Sequence, residues 1–445
     1  MKLTKFSLLT LFIVFFNLFL FAKNSYSAIT FTINSSDFNN NKLIFIGFNS
    51  QNPNLNNNIT EIKNLIKKNL DTTGLVQILE KNDITEAINI ETTPNFDIFQ
   101  DQNVENILIA NFSYDKNEDL ELKIRMWDIQ DKKQLFGKYY HFSANNYRKV
   151  ANSISNEIFK AITGEKLGHF NSKIVYVAES GSIRNRIRKI SMIDFDGENY
   201  RQLTDGSELV LTPSFSKHNN DIYYLRYYQK KPQIFSINSQ NLYNRKLGGF
   251  KATTFASSPH PFDPNLILLS AIYQGNCDIF ELNIEGNFAR KLTKSPAIDT
   301  TASYSPDAKK IIFSSDREVN QQIYIMNNDG TNIEKISHGS GSYHKPSWSP
   351  DGKSIAFTKI KSGQFMIGIM STNGKNEKIL TTGYLVEGAK WSGNGRYLIY
   401  SKKKGPYGDD SIPRIYTVDI ITGHEYEIPT PQKQGAIDPD WKIDS

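Results

Sequence analysis

The sequence predicts an all-β six-bladed propeller preceded by an α/β domain, and three observations carry that prediction. First, an aromatic residue leading into a tight turn recurs at Phe215, Phe262, Tyr304, Trp348, Trp391 and Trp441, at steps of 47, 42, 44, 43 and 50 residues. A period of about 40–45 residues is that of a four-stranded propeller blade. Second, an apolar run of strand composition follows each of the first five anchors: Ile222–Leu225, Leu266–Leu269, Ile311–Phe313, Ile355–Phe357 and Leu398–Tyr400. Third, Trp441 lies four residues from the C-terminus, too close for a second strand, whereas Lys173–Val177 is a second strand without a first. The ring is therefore expected to close by pairing the last strand with the early one, which removes the sheet edges that template aggregation.

The fullest repeat runs from Pro346 to Asn373. Its Ser349-Pro350-Asp351-Gly352 is turn chemistry: Pro sets φ at the second position, Asp bonds its own backbone and Gly takes the left-handed conformation. Two short apolar runs joined this way form a hairpin. Third strands follow, as at Gln322–Met326, and then short basic fourth strands at Arg245–Leu247, Arg290–Thr293, Glu334–Ile336 and Lys378–Leu380. Ile190–Ile193 and Tyr200–Thr204 complete the first blade. Several turns depart from the pattern: Ser216–Asn220 and Asp263–Asn265 replace Ser-Pro-Asp-Gly, and Ser392–Gly395 lacks the proline. Asn adopts the same turn conformations, so the fold is expected to hold.

Residues 1–27 read as a secretory signal peptide: Lys2 and Lys5, an apolar run from Phe6 to Phe21, and small residues Ser25 and Ser27 before Ala28. The run is too short for a membrane span. The single cysteine, Cys277, leaves no disulfide and no lipid attachment near the cleavage point. Residues 28–165 contain no repeat and form the α/β domain, and residues 166–445 form the propeller. In the first of these, strands are expected at Leu43–Phe48, Leu75–Leu79, Val104–Phe112 and Leu120–Ile129. Helices are expected over 58–70, capped by Asn58, and over 145–163, stopped by Gly164. Together they make helices on a mixed sheet. Trp127-Asp128 lies outside the repeats and is a chance dipeptide.

Composition excludes several functions. Cleavage of the signal removes three lysines and no acids, lowering the net charge from +6 to +3, too small for a nucleic-acid partner. Lys402–Lys404 is the one basic cluster and is expected in a solvated loop. Seven histidines show no metal-ligand spacing, and no nucleophile elbow, dinucleotide fingerprint or phosphate loop occurs. Asp307, Asp329 and Asp351 sit in repeat turns, where a carboxylate has a structural task. No catalytic residue, cofactor or metal is expected.

A signal peptide, a small α/β domain and a propeller built on Trp348–Gly352, Ile355–Thr358 and Ile323–Gly330 resemble the TolB family of the periplasmic Tol-Pal system. The junction Leu167–Val177 also resembles that family's link between domains, and the resemblance covers the mature chain. It implies binding without catalysis: one propeller mouth for the peptidoglycan-associated lipoprotein Pal, and the mature N-terminus for the C-terminal domain of TolA. Other outer-membrane proteins are further partners of this kind, and the implied role supports outer-membrane invagination at division, membrane integrity and protein import. A propeller mouth is ringed by the loops entering each first strand, here Thr253–Phe255, Asp299-Thr300, Tyr343-His344, Glu387 and Ile437. By position in the motif the Pal-facing residues are Thr254, Phe255, Thr300, His344 and Glu387. The TolA-facing stretch is Ala28, Ile29, Thr30, Phe31, Thr32 and Ile33, which alternates like a strand able to add to a sheet edge. Two other readings stay open: the propeller of a secreted hydrolase system, and a periplasmic propeller holding a small ligand or a metal in its channel.

Overall fold

The computed structural model describes residues 41–443 except 51, 80–88, 183–184, 230, 248–251 and 286–287. The signal peptide and the stretch Ala28–Ile33 lie outside the described residues. The first domain is a mixed sheet of β1 (Asn41–Ile46), β2 (Val76–Leu79), β3 (Asn106–Tyr114), β4 (Leu120–Asp128) and β5 (Lys133–Phe142), in the order β2-β1-β3-β4-β5. The pairs of β1 with β2 and β3 are parallel, and those from β3 to β5 are antiparallel. Trp127 is not a propeller signature here but a core residue, packed edge-on against Phe96 with Ile107 and Ile109.

Helices α1 (Pro53–Asp71) and α2 (Tyr147–Thr163) pack together, and Asn69 donates to Asn152 Oδ1 (2.8 Å) and Ser155 Oγ (3.1 Å) between them. The expected cap at Asn58 is corrected. The helix begins at Pro53, and Asn52 is the capping residue: its carbonyl accepts from Asn56 N (2.9 Å) and its side chain from Leu55 N (3.5 Å). Pro suits that first position because its missing N–H would be unpaired there anyway. Asn58 instead reaches Tyr114 Oη (3.3 Å). Gly164 stops α2 as expected, with φ +73° and its N–H on Lys160 O. Strand β5 was not foreseen; its side chains are mostly exposed and carry no clean alternation.

Six four-stranded sheets follow, and the ring closes as expected: Gly435–Ile443 pairs antiparallel with Ser172–Ser180. Hydrophobic clusters form between blades rather than within them. One joins Val175, Val177 and Ile190 of the first blade to Phe215, Ile222 and Tyr224 of the second. Stability therefore rests on neighbouring blades stacking their apolar faces.

The repeat turns work as their chemistry predicts. Asp351 Oδ1 accepts from Ser349 Oγ (2.6 Å) and Lys353 N (3.1 Å), and Asp307 does the same in its turn. Asn394 replaces Asp in the turn without proline, accepting from Arg396 N at 3.1 Å. One anchor is corrected. Phe262 is 67% exposed, and the first strand of its blade ends at Pro259, paired with Ile267. The turn there is one residue longer and is held by His260 Nδ1, which accepts from Phe262 N (3.1 Å) and Asp263 N (2.9 Å). The basic cluster is also corrected: Lys402 and Lys403 lie in strand Tyr397–Lys403, and Lys402 is paired with Glu425 at 2.7 Å.

Candidate functional site

Alternating strand directions give the propeller two different faces. Turns joining first to second and third to fourth strands share one face, here termed the turn face. Connections between blades and from second to third strands share the other, the loop face. The first domain sits on the turn face. Lys68 Nζ donates to Asp196 O (3.0 Å) and Arg148 pairs with the Asp196 carboxylate, in the third turn of the first blade. Asn394 Nδ2 donates to Leu167 O (3.2 Å), and Arg396 Nη1 lies 3.9 Å from Glu165, both in the first turn of the sixth blade. Gly74 meets the next turn so closely that a Cβ on it would fall 2.6 Å from His424 Nδ1.

At the centre of this seam lies His169, 1% exposed and surrounded by Phe159, Phe170, Phe195 and Tyr397 at ring distances of 4.3–5.1 Å. Burial, with the nearby Arg396 charge adding to it, pushes its pKa down to about 3. The imidazole is neutral and acts as one more ring of an aromatic lock.

The loop face is uncovered by the described residues. The expected site residues prove to lie not in loops but on the first strands. Thr254, Thr300, His344 and Glu387 occupy equivalent positions, opposite Ala271, Ser314, Thr358 and Ser401. Phe255 follows Thr254 on strand Thr253–Pro259, and its side chain falls outside the described residues. A β-bulge comes directly after each of the four, and the bulged residues Thr301, Lys345 and Gly388 have φ of +53°, +48° and +77°. Bulges of this kind re-aim side chains at sheet rims. They turn one layer of each strand toward the ring axis while pairing continues, which is why a stretch read as loop is strand.

Within this ring Thr254 is buried and donates to Pro232 O (3.3 Å), and Thr300 accepts from Gln321 Nε2 (3.2 Å). His344 Nε2 is 2.9 Å from Ser342 Oγ; burial lowers its pKa, and Lys345 adds to the effect more than Glu387 offsets it. Lys345 Nζ bridges Glu387 Oε2 (2.9 Å) and Asp438 Oδ1 (3.6 Å). Burial opposes its charge, but the two carboxylates outweigh that and hold its pKa above the ordinary lysine value. Outside the ring, large apolar side chains stand in solvent: Val319 is 100% exposed, Tyr407 84%, Tyr384 56% and Tyr273 40%, joined by Ile298 and Tyr228. All belong to loop-face connections or to the strand ends beside them.

Family models match at both ends of the chain: the TolB amino-terminal domain over residues 30–135 and the TolB beta propeller domain over 159–443. The chain belongs to the TolB family. The structure of TolB from Acinetobacter baumannii superposes with a TM-score of 0.79 at 22% identity, over 90% of this chain and 96% of that one. More distant propellers include a nidogen/laminin complex, with a TM-score of 0.49 at 11% identity over 61% of this chain and 98% of that one. An oligogalacturonate lyase in complex with manganese has a TM-score of 0.43 at 13% identity, over 58% and 74%. Among the described residues of this TolB-family chain no helix is long and apolar enough to cross a membrane. One cluster escaped the sequence reading: Asp115 and Asp119, in the turn between β3 and β4, and His141, on β5, place ligand-type atoms within 4.8 Å of one another. His141 is 26 residues from Asp115 in sequence, and the pairing of β4 with β5 brings it beside the turn.

Proposed function

We propose that this chain is a non-enzymatic, periplasmic protein-binding component of the Tol-Pal system. The observation that carries the reading is the loop face: a ring of half-buried polar positions at equivalent places in the blades, inside a rim of exposed aromatic and aliphatic side chains. A single partner seated there touches many blades at once, and aromatic anchors are where binding energy concentrates. The partner proposed for this face is the lipoprotein Pal. The mature N-terminus, Ala28–Ile33, is the proposed strand for the C-terminal domain of TolA, by addition to a sheet edge. On this reading the protein links the two partners during outer-membrane invagination and supports membrane integrity.

The test is co-purification from the periplasm with a tag at the C-terminus. Recovery of a peptidoglycan-bound lipoprotein, weakened by Thr300→Glu and His344→Glu with circular dichroism unchanged, is the expected outcome. Deleting residues 28–33 should abolish TolA capture and leave lipoprotein capture intact. Failure to recover the lipoprotein with folded protein would overturn the first assignment, and loss of both partners on deletion would overturn the separation of roles.

A further inference from the structure

The bulges that aim side chains at the ring axis also leave a cavity of about 90 Å³ in the channel. Every blade contributes to its wall, with Thr212, Ser258, Thr301, Lys345, Lys390 and Asp438 among the lining residues. That is room for several waters or one small oxyanion.

Most charged groups in this wall are already committed. Lys345 is shared by Glu387 (2.9 Å) and Asp438 (3.6 Å). Asp440 Oδ2 accepts from Phe215 N (2.8 Å) and Ser214 Oγ (3.2 Å), which ties the closing strand to the second blade. Lys390 is the exception. It reaches the cavity from the sixth blade and, among the described residues, has neither ion pair nor hydrogen bond. Lys390 is partly buried and keeps some contact with water. Thr212 Oγ1, buried in the same wall, also has no partner. An ammonium and a buried hydroxyl lining one cavity without protein partners are costly to desolvate unless water or a ligand binds them.

We propose that the channel is a binding site for a small oxyanion, a carboxylate or a phosphate group, held by the Lys390 ammonium and the Thr212 hydroxyl. The donor set favours this over a cation, because the uncommitted charge is positive and the carboxylates facing it are already bonded. Desolvation lowers the Lys390 pKa, with Lys217 and Lys345 adding to this and Asp440 and Asp438 opposing it, so a bound anion would restore its charged form.

The test is isothermal titration calorimetry of the mature protein with formate and with inorganic phosphate at constant ionic strength, repeated on Lys390→Met and Thr212→Val. One-site binding is expected, at least tenfold weaker in Lys390→Met and several-fold weaker in Thr212→Val. Should Lys390→Met fail to fold, Thr212→Val decides alone. No heat from the native protein, or equal affinity in the folded variants, would overturn the proposal. So would a Tm that rises with calcium and not with formate.

Discussion

The two faces of the propeller are built from the same repeat and end up as opposites. Where the first domain meets the turn face, aromatic groups are spent internally: Phe159, Phe170 and Phe195 are each at most 2% exposed and close around His169, while Phe262, Tyr243 and Phe288, in or beside other turns of that face, stay exposed. On the loop face comparable side chains, Tyr273, Tyr384 and Tyr407, are left in solvent, and the charges behind them form a half-buried ring. A repeat determines where loops and turns fall, but not which face is closed. Closure was assigned by the first domain, which covers part of the turn face, and the proposed recognition surface lies on the other face.

The comparison breaks most sharply at Arg396. Its Nε lies 2.9 Å from Asp419 Oδ2, with side chains 6% and 0% exposed, and its guanidinium stacks over Phe159 at 5.5 Å. Removing one partner of a buried pair strands the other, so Arg396→Ala is expected to cost about 3–5 kcal/mol in denaturant unfolding. Loss under 1 kcal/mol would show that the seam is not holding the two parts together.

His169 sharpens the same side by pH. Its folded pKa, about 3, lies below the ordinary value, so the folded state takes up its proton later than the unfolded chain does. Its contribution is thus present in full above the unfolded pKa and is lost as pH falls from about 6.5 toward 3. Between pH 7 and pH 5 that loss is about 2 kcal/mol. His169→Phe, which keeps an aromatic ring in the lock, should remove this part of the pH dependence while other groups still titrate. An unchanged slope in the variant would take the histidine out of the account.

On the loop face the same kind of substitution should do little to the fold. The Lys345–Glu387 pair has side chains 34% and 35% exposed, so water screens it. A double-mutant cycle with Lys345→Met and Glu387→Gln is expected to return no more than about 1 kcal/mol. A coupling near that of Arg396 would mean that the mouth, too, is a structural element.

The propeller was largely legible in the sequence because its turns need particular residues: the Ser349–Asp351 bond and its relatives can be read from the letters alone. Where other chemistry did the same work the reading slipped. His260 holds a turn that Ser and Asp hold elsewhere, which displaced the second anchor to an exposed Phe262. Asn52 and Pro53 start a helix that the apolar stripe alone seemed to begin at Asn58. The site was half legible. Equivalent positions in the repeat located Thr254, Thr300, His344 and Glu387, but the bulges place Thr, Lys and Gly alike at positive φ, and no residue preference announces that. Lys390 and Thr212 come to line one cavity only when the ring closes, from blades far apart in sequence.

The smallest effect on stability should come with a large effect on binding. Tyr273 is 40% exposed at the hairpin between second and third strands of its blade, with its ring edge-on to Phe280, ring centres 6.3 Å apart. Tyr273→Ala removes part of that packing and should lower unfolding stability by about 1 kcal/mol. Tyr407, 84% exposed, should lose no more than about 0.5 kcal/mol on truncation to alanine. If the rim is a recognition surface, an aromatic anchor in it is worth more than about 1 kcal/mol of binding, and capture of the loop-face partner should weaken at least several-fold. Thermal melts and pull-downs on the same two variants separate the cases. Lower Tm with unchanged capture would make these side chains part of the fold after all, and the two faces would then differ only in what covers them. Unchanged Tm with lost capture would establish that one repeat can hold its structure on one face and its recognition on the other.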